Sequence, residues 1–202
     1  MAAAKPPAAF GSAPLDLARI PAGQVFGRIY HQRFPDPLGY GKSRSRFSDP
    51  RRRVPHSRFG VLYLGSSLEV CFLEAVLRDE RDGEVGDHLM AETELDTRQY
   101  AEILAREELQ LLDLTDSAPV RMGVPSDVVR ASRQALARQW SVAFYEHPEQ
   151  VDGILYPSRL NGEVNLAIYD RAVLKLEVRA TSILLHAPGL ARVLNDLKIA
   201  LI

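Results

Sequence analysis

The sequence predicts a single α+β domain built on a mixed or antiparallel central sheet with flanking helices. Short apolar stretches typical of strands occur along most of the chain, and they interleave irregularly with helical patterns. Two strand patterns within 151–169 flank the turn signal Asn161-Gly162, which predicts an antiparallel hairpin. A length of 202 residues with 46% hydrophobic content suits one domain with a sizeable core.

The elements follow in order from the N-terminus. Residues 1–13 are rich in Ala and Pro, which predicts a disordered tail ahead of a domain that spans 14–202. Strands are predicted at 24–31, 61–64, 99–104, 108–114, 151–156 and 164–169, with one or two more within 173–185. Helices are predicted after the turn at 65–67, from Ser126 to about His147, and from Pro188 to the C-terminus.

Residues 60–80 contain the most informative pattern. A strand turns at 65–67 into a helix for which Ser66 and Glu69 have the spacing of a capping box. This helix is apolar on nearly every side, so we expect it to be buried, and Glu74 lies on an apolar face of it. A buried carboxylate needs either a partner or a chemical role, because burial penalises its charge. A structural salt bridge to an arginine remains an alternative.

The net charge of −1 conceals a strong asymmetry, since residues 1–60 hold 11 Lys/Arg against 3 Asp/Glu. The basic residues concentrate between Arg28 and Arg58, and the 26 residues 34–59 have neither helical nor strand periodicity. Guanidinium and hydroxyl groups of this kind suit pyrophosphate and ribose, and equally a nucleic-acid backbone. Alternatively, this stretch docks on the acidic remainder of the same chain.

Several classes of protein are disfavoured by composition. One cysteine excludes an internal disulfide, and the five scattered histidines lack metal-ligand spacing, so we expect no metal. No apolar run approaches a membrane span, and the first residues lack the apolar core of a signal peptide. We therefore expect a cytoplasmic protein without membrane contact.

Five segments of the sequence form an ordered set. Arg28 lies on the first strand, Arg46-Phe47 follows in the basic loop 34–59, and Glu74 comes eleven residues after Tyr63. Further on, Asp152-Gly-Ile-Leu-Tyr-Pro-Ser158 leads to the strand Asn165-Leu-Ala-Ile-Tyr-Asp170. This set resembles the RES-domain family, which is named for its Arg, Glu and Ser, and the resemblance covers about residues 24–180. Where the family usually has Gly-Arg-Trp-Asn, this chain has Ser45-Arg46-Phe47-Ser48.

The resemblance implies a fold similar to ADP-ribosyltransferase toxins and a growth-arresting toxin of a bacterial toxin–antitoxin system. It implies that NAD is consumed as substrate, with Glu74, Arg46 and Ser158 catalytic. The residues implied to bind NAD are Arg28, Arg46, Tyr63 and Ser158. The acceptor of ADP-ribose stays open between water, phosphate and a protein target. The implied partner is a cognate antitoxin with a DNA-binding domain, and any DNA binding would belong to that antitoxin.

These residue types fit NAD cleavage chemically. Breaking the nicotinamide–ribose bond passes through an oxocarbenium-like state, which a fixed carboxylate stabilises. Arginine forks hold pyrophosphate, and a tyrosine ring stacks on nicotinamide. On pattern alone, Tyr63 fits a core position equally well and Ser158 fits a plain turn. Two other functions also remain: a nucleic-acid-binding module that uses residues 28–58, and a non-catalytic interaction protein.

Overall fold

The computed structural model describes residues 4–51, 54, 57–78 and 80–202. Within these ranges the chain forms an eight-stranded mixed sheet, a two-stranded parallel sheet and short helices, which confirms the predicted α+β class. The strands are β1 Leu17–Ile20, β2 Val25–His31, β3 Val61–Gly65, β4 His88–Met90, β5 Arg98–Ala105, β6 Leu109–Asp113, β7 Gly153–Pro157, β8 Val164–Tyr169, β9 Leu176–Ile183 and β10 Ile199–Leu201. The helices are α1 Leu68–Phe72, α2 Glu92–Asp96, α3 Ala118–Arg121, α4 Ser126–Arg130, α5 Ala135–Tyr145 and α6 Leu190–Asp196.

The large sheet is nearly divided between β2 and β3. Its strand order is β1-β6-β7-β8-β3-β2-β5-β9, with only β6 and β7 parallel among neighbouring pairs of described strands. β3 pairs with β8 along its whole length, and β2 does the same with β5. Between β2 and β3, however, the ladder holds a single residue pair, Gly27 opposite Gly65. The two strands diverge beyond that pair, so a cleft opens between the two halves of the sheet.

Helix α1 approaches this junction so closely that a side chain larger than hydrogen does not fit. A Cβ at Gly65 would lie 2.6 Å from Val70 Cγ1 and 2.7 Å from Cys71 Sγ. A Cβ at Gly27 would lie 2.9 Å from the Tyr100 hydroxyl and 3.0 Å from the same Sγ. The two glycines therefore allow the helix, the strand pair and the floor of the cleft to meet at one place.

The helical segment after β3 is buried, as the sequence predicts, but its details differ. Ser67 rather than Ser66 is the N-cap, since its Oγ accepts a hydrogen bond from Val70 N at 3.1 Å. The α-helix then passes into one π-helical turn, Leu73–Leu77, a feature frequent at functional sites. Glu74 lies on that turn and is exposed. Its predicted burial is wrong because the face that carries it meets the opening of the sheet instead of a packed neighbour.

Three groups of buried apolar side chains hold the fold together. The first packs α5 against β3, β7 and β8, on the face of the sheet from which Tyr63 and Tyr156 line the cleft. The second packs α1 and α6 against β2. The third lies on the opposite face, where the curled sheet brings Leu62 and Leu64 of β3 against Phe26 and Ile103 of the other half.

Two predicted helices differ from the observed ones. The helix predicted from 126 to 147 is divided into α4 and α5, because the chain leaves helical geometry at Ala131, where ψ is 142°. The C-terminal helix ends at Asp196, and the chain continues as β10, which pairs with β4.

Residues 4–13, for which the composition predicts disorder, pack against α5. Phe10 is 3% exposed, and its ring meets Trp140 edge-on at 5.1 Å between centroids. The Trp140 Nε1 donates to the carbonyl of Ala4 at 2.9 Å. The Phe10 ring and this hydrogen bond therefore hold a segment that is otherwise Ala- and Pro-rich.

We expect Gly65→Ala to lower the melting temperature, because the added methyl must displace Val70 or Cys71 at the sheet junction. Overpacking of this kind costs about 1–3 kcal/mol. Gly11→Ala is the control, since nothing lies within 4 Å of a Cβ built there. Thermal unfolding of both variants tests the close approach, and equal melting temperatures for Gly65→Ala and wild type would contradict it.

Candidate active site

A cavity of about 410 Å³ lies where β2 and β3 diverge. Its volume is in the range of small-molecule sites. Four of the five site residues predicted from the sequence line it: Arg28, Arg46, Tyr63 and Glu74. The fifth, Ser158, contacts Glu74 directly. Residues far apart in the chain thus converge on one cleft.

The carboxylate of Glu74 is held through one oxygen by the β7–β8 hairpin. Ser158 Oγ donates to Oε1 at 2.7 Å, and Asn165 Nδ2 donates to the same atom at 3.2 Å. Both donors are buried, whereas Glu74 itself is exposed to the cavity. No described residue donates a hydrogen bond to Oε2. The carboxylate therefore has a fixed orientation and one oxygen available to a ligand.

Ser158 is fixed in turn by its own backbone and turn. Its N–H donates to the carbonyl of Glu163 at 2.6 Å, which continues the hairpin ladder past β7. Its Oγ accepts from Leu160 N at 3.2 Å while donating to Glu74. The hydroxyl is thus positioned to orient the carboxylate, a role beyond the plain turn that the sequence pattern alone also fits.

Asn165 is a site residue that sequence reasoning missed. It lies on β8, opposite Tyr156 of β7 and Gly65 of β3, and is 4% exposed. A buried amide in a strand that is otherwise apolar was the available signal, because buried polar groups need a partner. Its partner, Glu74, is distant in sequence, so the strand pattern alone did not reveal its role.

Tyr63 anchors the basic loop to the sheet. Its hydroxyl accepts from Phe47 N at 2.9 Å and shares a hydrogen bond with Ser45 Oγ at 2.9 Å. Ser48, where the family usually has Asn, closes the same turn: its Oγ accepts from Ser45 N at 2.9 Å and donates to Ser45 O at 3.0 Å. Burial raises the pKa of Tyr63, so the hydroxyl stays protonated. Ser48 therefore stabilises the turn through two hydrogen bonds to the backbone of Ser45.

Arg46 extends from that turn and is 9% exposed. Its Nη1 donates to the carbonyl of Ala131, in the break between α4 and α5, at 2.9 Å. Burial is the largest influence on Arg46 and lowers its pKa, against the opposing effect of Tyr156. Its segment of the loop is therefore held by the surrounding structure, although residues 34–59 lack the periodicity of a helix or a strand.

Arg28 holds a second part of the loop. Its guanidinium donates to the carbonyls of Pro37 and Gly39, the latter at 2.7 Å. Burial lowers the pKa of Arg28 to about 10. Within the described part of the chain, neither Arg28 nor Glu74 takes part in a salt bridge, so the structural pairing of the two is not observed. Cationic groups withdrawn from water in this way favour an anionic ligand.

One further arginine of the basic stretch, Arg51, pairs with carboxylates instead of lining the cavity. Arg51 pairs with Asp49 at 2.7 Å and also with Glu146 of the acidic part of the chain. Part of the loop thus docks on the protein's own acids, as one alternative anticipated. Arg52 and Arg53 lie outside the described residues.

Two further features concern metals and membranes. Across the residues that the structure describes, no three His, Cys, Asp or Glu side chains converge as a metal site. The described helices include none that combines the length and apolar character needed to cross a membrane.

Comparison with known proteins defines the family. The RES domain model matches residues 17–187, so the chain belongs to the RES domain family, which confirms the resemblance. "Probable toxin y4kH" of Sinorhizobium fredii strain NGR234 is 36% identical over 127 residues, which are 62% of this chain and 100% of that protein. A chain in the crystal structure of the M. tuberculosis MbcT–MbcA toxin–antitoxin complex has a similar fold. Its TM-score is 0.63 at 21% identity, covering 89% of this chain and 91% of that one.

Proposed function

We propose that this chain is the toxin of a bacterial toxin–antitoxin pair and that its cleft cleaves the nicotinamide–ribose bond of NAD. Membership of the RES domain family and the likeness to a probable toxin support the first part. The observation that carries the second part is the carboxylate of Glu74, oriented by Ser158 and Asn165 in a cavity shared with Arg28 and Arg46.

The arginines are suited to the diphosphate of NAD. A guanidinium has five N–H donors, and Arg28 and Arg46 use only some of theirs on backbone carbonyls. Their remaining donors face a cavity in which a dianionic diphosphate would offset the cost of their burial. Tyr63 presents a half-buried ring to the same cavity, against which nicotinamide stacks in this proposal.

Glu74 acts where positive charge develops. As the bond from ribose to nicotinamide lengthens, the ribose takes on oxocarbenium character and nicotinamide leaves as a neutral base. A carboxylate already fixed through Oε1 stabilises that charge through Oε2 without reorganising during the reaction. This cleavage is the first half of the reaction and is the same whether the acceptor is water, phosphate or a protein side chain. In the second half, where the acceptor attacks through an O–H group, Glu74 accepts its proton.

We expect Glu74→Gln to reduce nicotinamide release by about 100-fold or more, the usual cost of removing a preorganised transition-state charge. Gln is nearly isosteric and the site is exposed, so the melting temperature should stay close to that of wild type. Glu69→Gln is the matched control, because Glu69 lies on the same helical segment and, among the described residues, its side chain accepts a hydrogen bond from Asn161 Nδ2 alone. A folded Glu74→Gln variant with wild-type turnover would remove Glu74 from the mechanism.

We expect Arg28→Lys to lower kcat strongly, because an ammonium group cannot bridge two carbonyls and still present a planar fork to substrate. Arg46→Lys is expected mainly to raise KM, because a point charge near the diphosphate is kept. Each loss should be on the order of 1–3 kcal/mol if one charge-assisted hydrogen bond is removed. Steady-state kinetics and thermal unfolding of both variants decide the roles. A fall in stability proportionate to the loss of activity at Arg28 would mean that this residue is scaffold.

The proposed partner is a cognate antitoxin that carries a DNA-binding domain. To silence the toxin it must cover the open cleft, whose rim includes the exposed Arg44 and Arg78. We therefore expect residues 28–58 to gain protection from amide hydrogen exchange when the antitoxin binds. Unchanged protection there, with NAD still consumed by the complex, would argue against this mode of inhibition.

A further inference from the structure

We infer that Tyr156 is a substrate-binding residue whose hydroxyl donates a hydrogen bond to the ribose–nicotinamide half of NAD. This inference rests on the proposed function and adds a contact to the predicted set of site residues. Its evidence is the position of the ring in the cleft and the unused hydrogen-bonding capacity of its hydroxyl.

Tyr156 lies in the floor of the cleft, among the residues that hold Glu74. It is on β7, directly opposite Asn165 of β8, and it precedes Ser158 by two residues, so that both side chains project to the same face. Asn165 and Ser158 are the two donors to Glu74 Oε1. The Tyr156 ring also lines the cavity itself.

The ring is packed, but the hydroxyl is not used by the protein. Tyr156 is 7% exposed, and its ring meets Phe47 edge-on at 5.0 Å between centroids. In contrast to Tyr63 and Tyr169, whose hydroxyls bond to loop and helix groups, the Tyr156 hydroxyl forms no hydrogen bond with any described residue.

Solvent nevertheless reaches this hydroxyl. Among the described side chains, Arg171 Nε is the only polar atom that is both sealed from water and without a partner. The Tyr156 hydroxyl therefore opens onto the cavity that its ring lines. A ligand that displaces this water leaves the hydroxyl unpaired, at a cost, unless the ligand itself accepts its hydrogen bond. A ligand with oxygen acceptors is suited to that position.

The surroundings of the hydroxyl keep it protonated and therefore able to donate a hydrogen bond. Burial raises the pKa of Tyr156 well above 10, and Tyr63 and Glu74 raise it further, while Arg46 opposes them. The phenol is accordingly protonated at any physiological pH. Its neighbour Glu74 is the group assigned to the scissile bond, so the acceptor within reach is a ribose oxygen or the nicotinamide carboxamide oxygen.

The test compares Tyr156→Phe with Tyr169→Phe. Phe at 156 keeps the ring that packs on Phe47 and removes only the hydroxyl, so we expect an unchanged melting temperature and about a tenfold lower kcat/KM for NAD. Tyr169 is fully buried and donates to the carbonyl of Ser141 at 3.3 Å, away from the cavity. Its substitution should lower the melting temperature and leave kcat/KM unchanged.

Inhibition by ADP locates the contact, since ADP has the diphosphate but lacks the ribose–nicotinamide half. We expect ADP to inhibit wild type and Tyr156→Phe with the same inhibition constant. Equal weakening of ADP and NAD would overturn the assignment of Tyr156 to that half. A wild-type kcat/KM in Tyr156→Phe would overturn the inference and leave the proposed function intact. A fall in kcat/KM that is proportionate to a fall in melting temperature would do the same. If the wild-type protein consumes no NAD, the proposed function and the inference both fail.

Discussion

The cleft exists because β2 and β3 pair at one position only, Gly27 opposite Gly65. A longer ladder would close the sheet and leave no room between its halves. With larger residues at these positions, α1 could not lie against the junction, since Val70 and Cys71 already occupy the space that a Cβ needs. The same contact sets the start of the helical segment that carries Glu74 into the opening. Backbone geometry thus determines where the charged groups meet.

Neutral partners hold Arg28, Arg46 and Glu74, and among the described residues none of these three forms a salt bridge. Arg28 and Arg46 donate to backbone carbonyls, and Glu74 accepts from a hydroxyl and an amide. Neutral partners fix geometry without cancelling charge, so the cleft keeps separate positive and negative regions. NAD in the proposed reaction offers the complementary pattern, because its central diphosphate is anionic and a positive charge develops on the ribose that carries nicotinamide. This arrangement favours an enzyme over a surface that only docks a partner.

Most strands were predictable from the sequence, because burial on alternate faces leaves a period of two in the residue pattern. The hairpin within 151–169 is an example, since its turn signal is also local. The exposure of Glu74 was not predictable in this way. It depends on how β3 diverges from β2, a strand that is distant from Glu74 in the sequence. The break between α4 and α5 was likewise missed, since the apolar positions keep helical spacing through it. The site residues themselves were reached through the family resemblance, and Asn165 was missed because the resemblance included its strand without implying a site role for it.

The most direct test is to incubate pure protein with NAD labelled separately in the nicotinamide and the adenosine moieties, with and without cell lysate. The account requires nicotinamide to be released, and the amount released should equal the amount of adenosine label that has moved from NAD into ADP-ribose products. That label identifies the acceptor: free ADP-ribose for water, a phosphorylated product for phosphate, or one protein band for transfer. If a correctly folded protein releases no nicotinamide under either condition, the cleft does not consume NAD and the account is wrong.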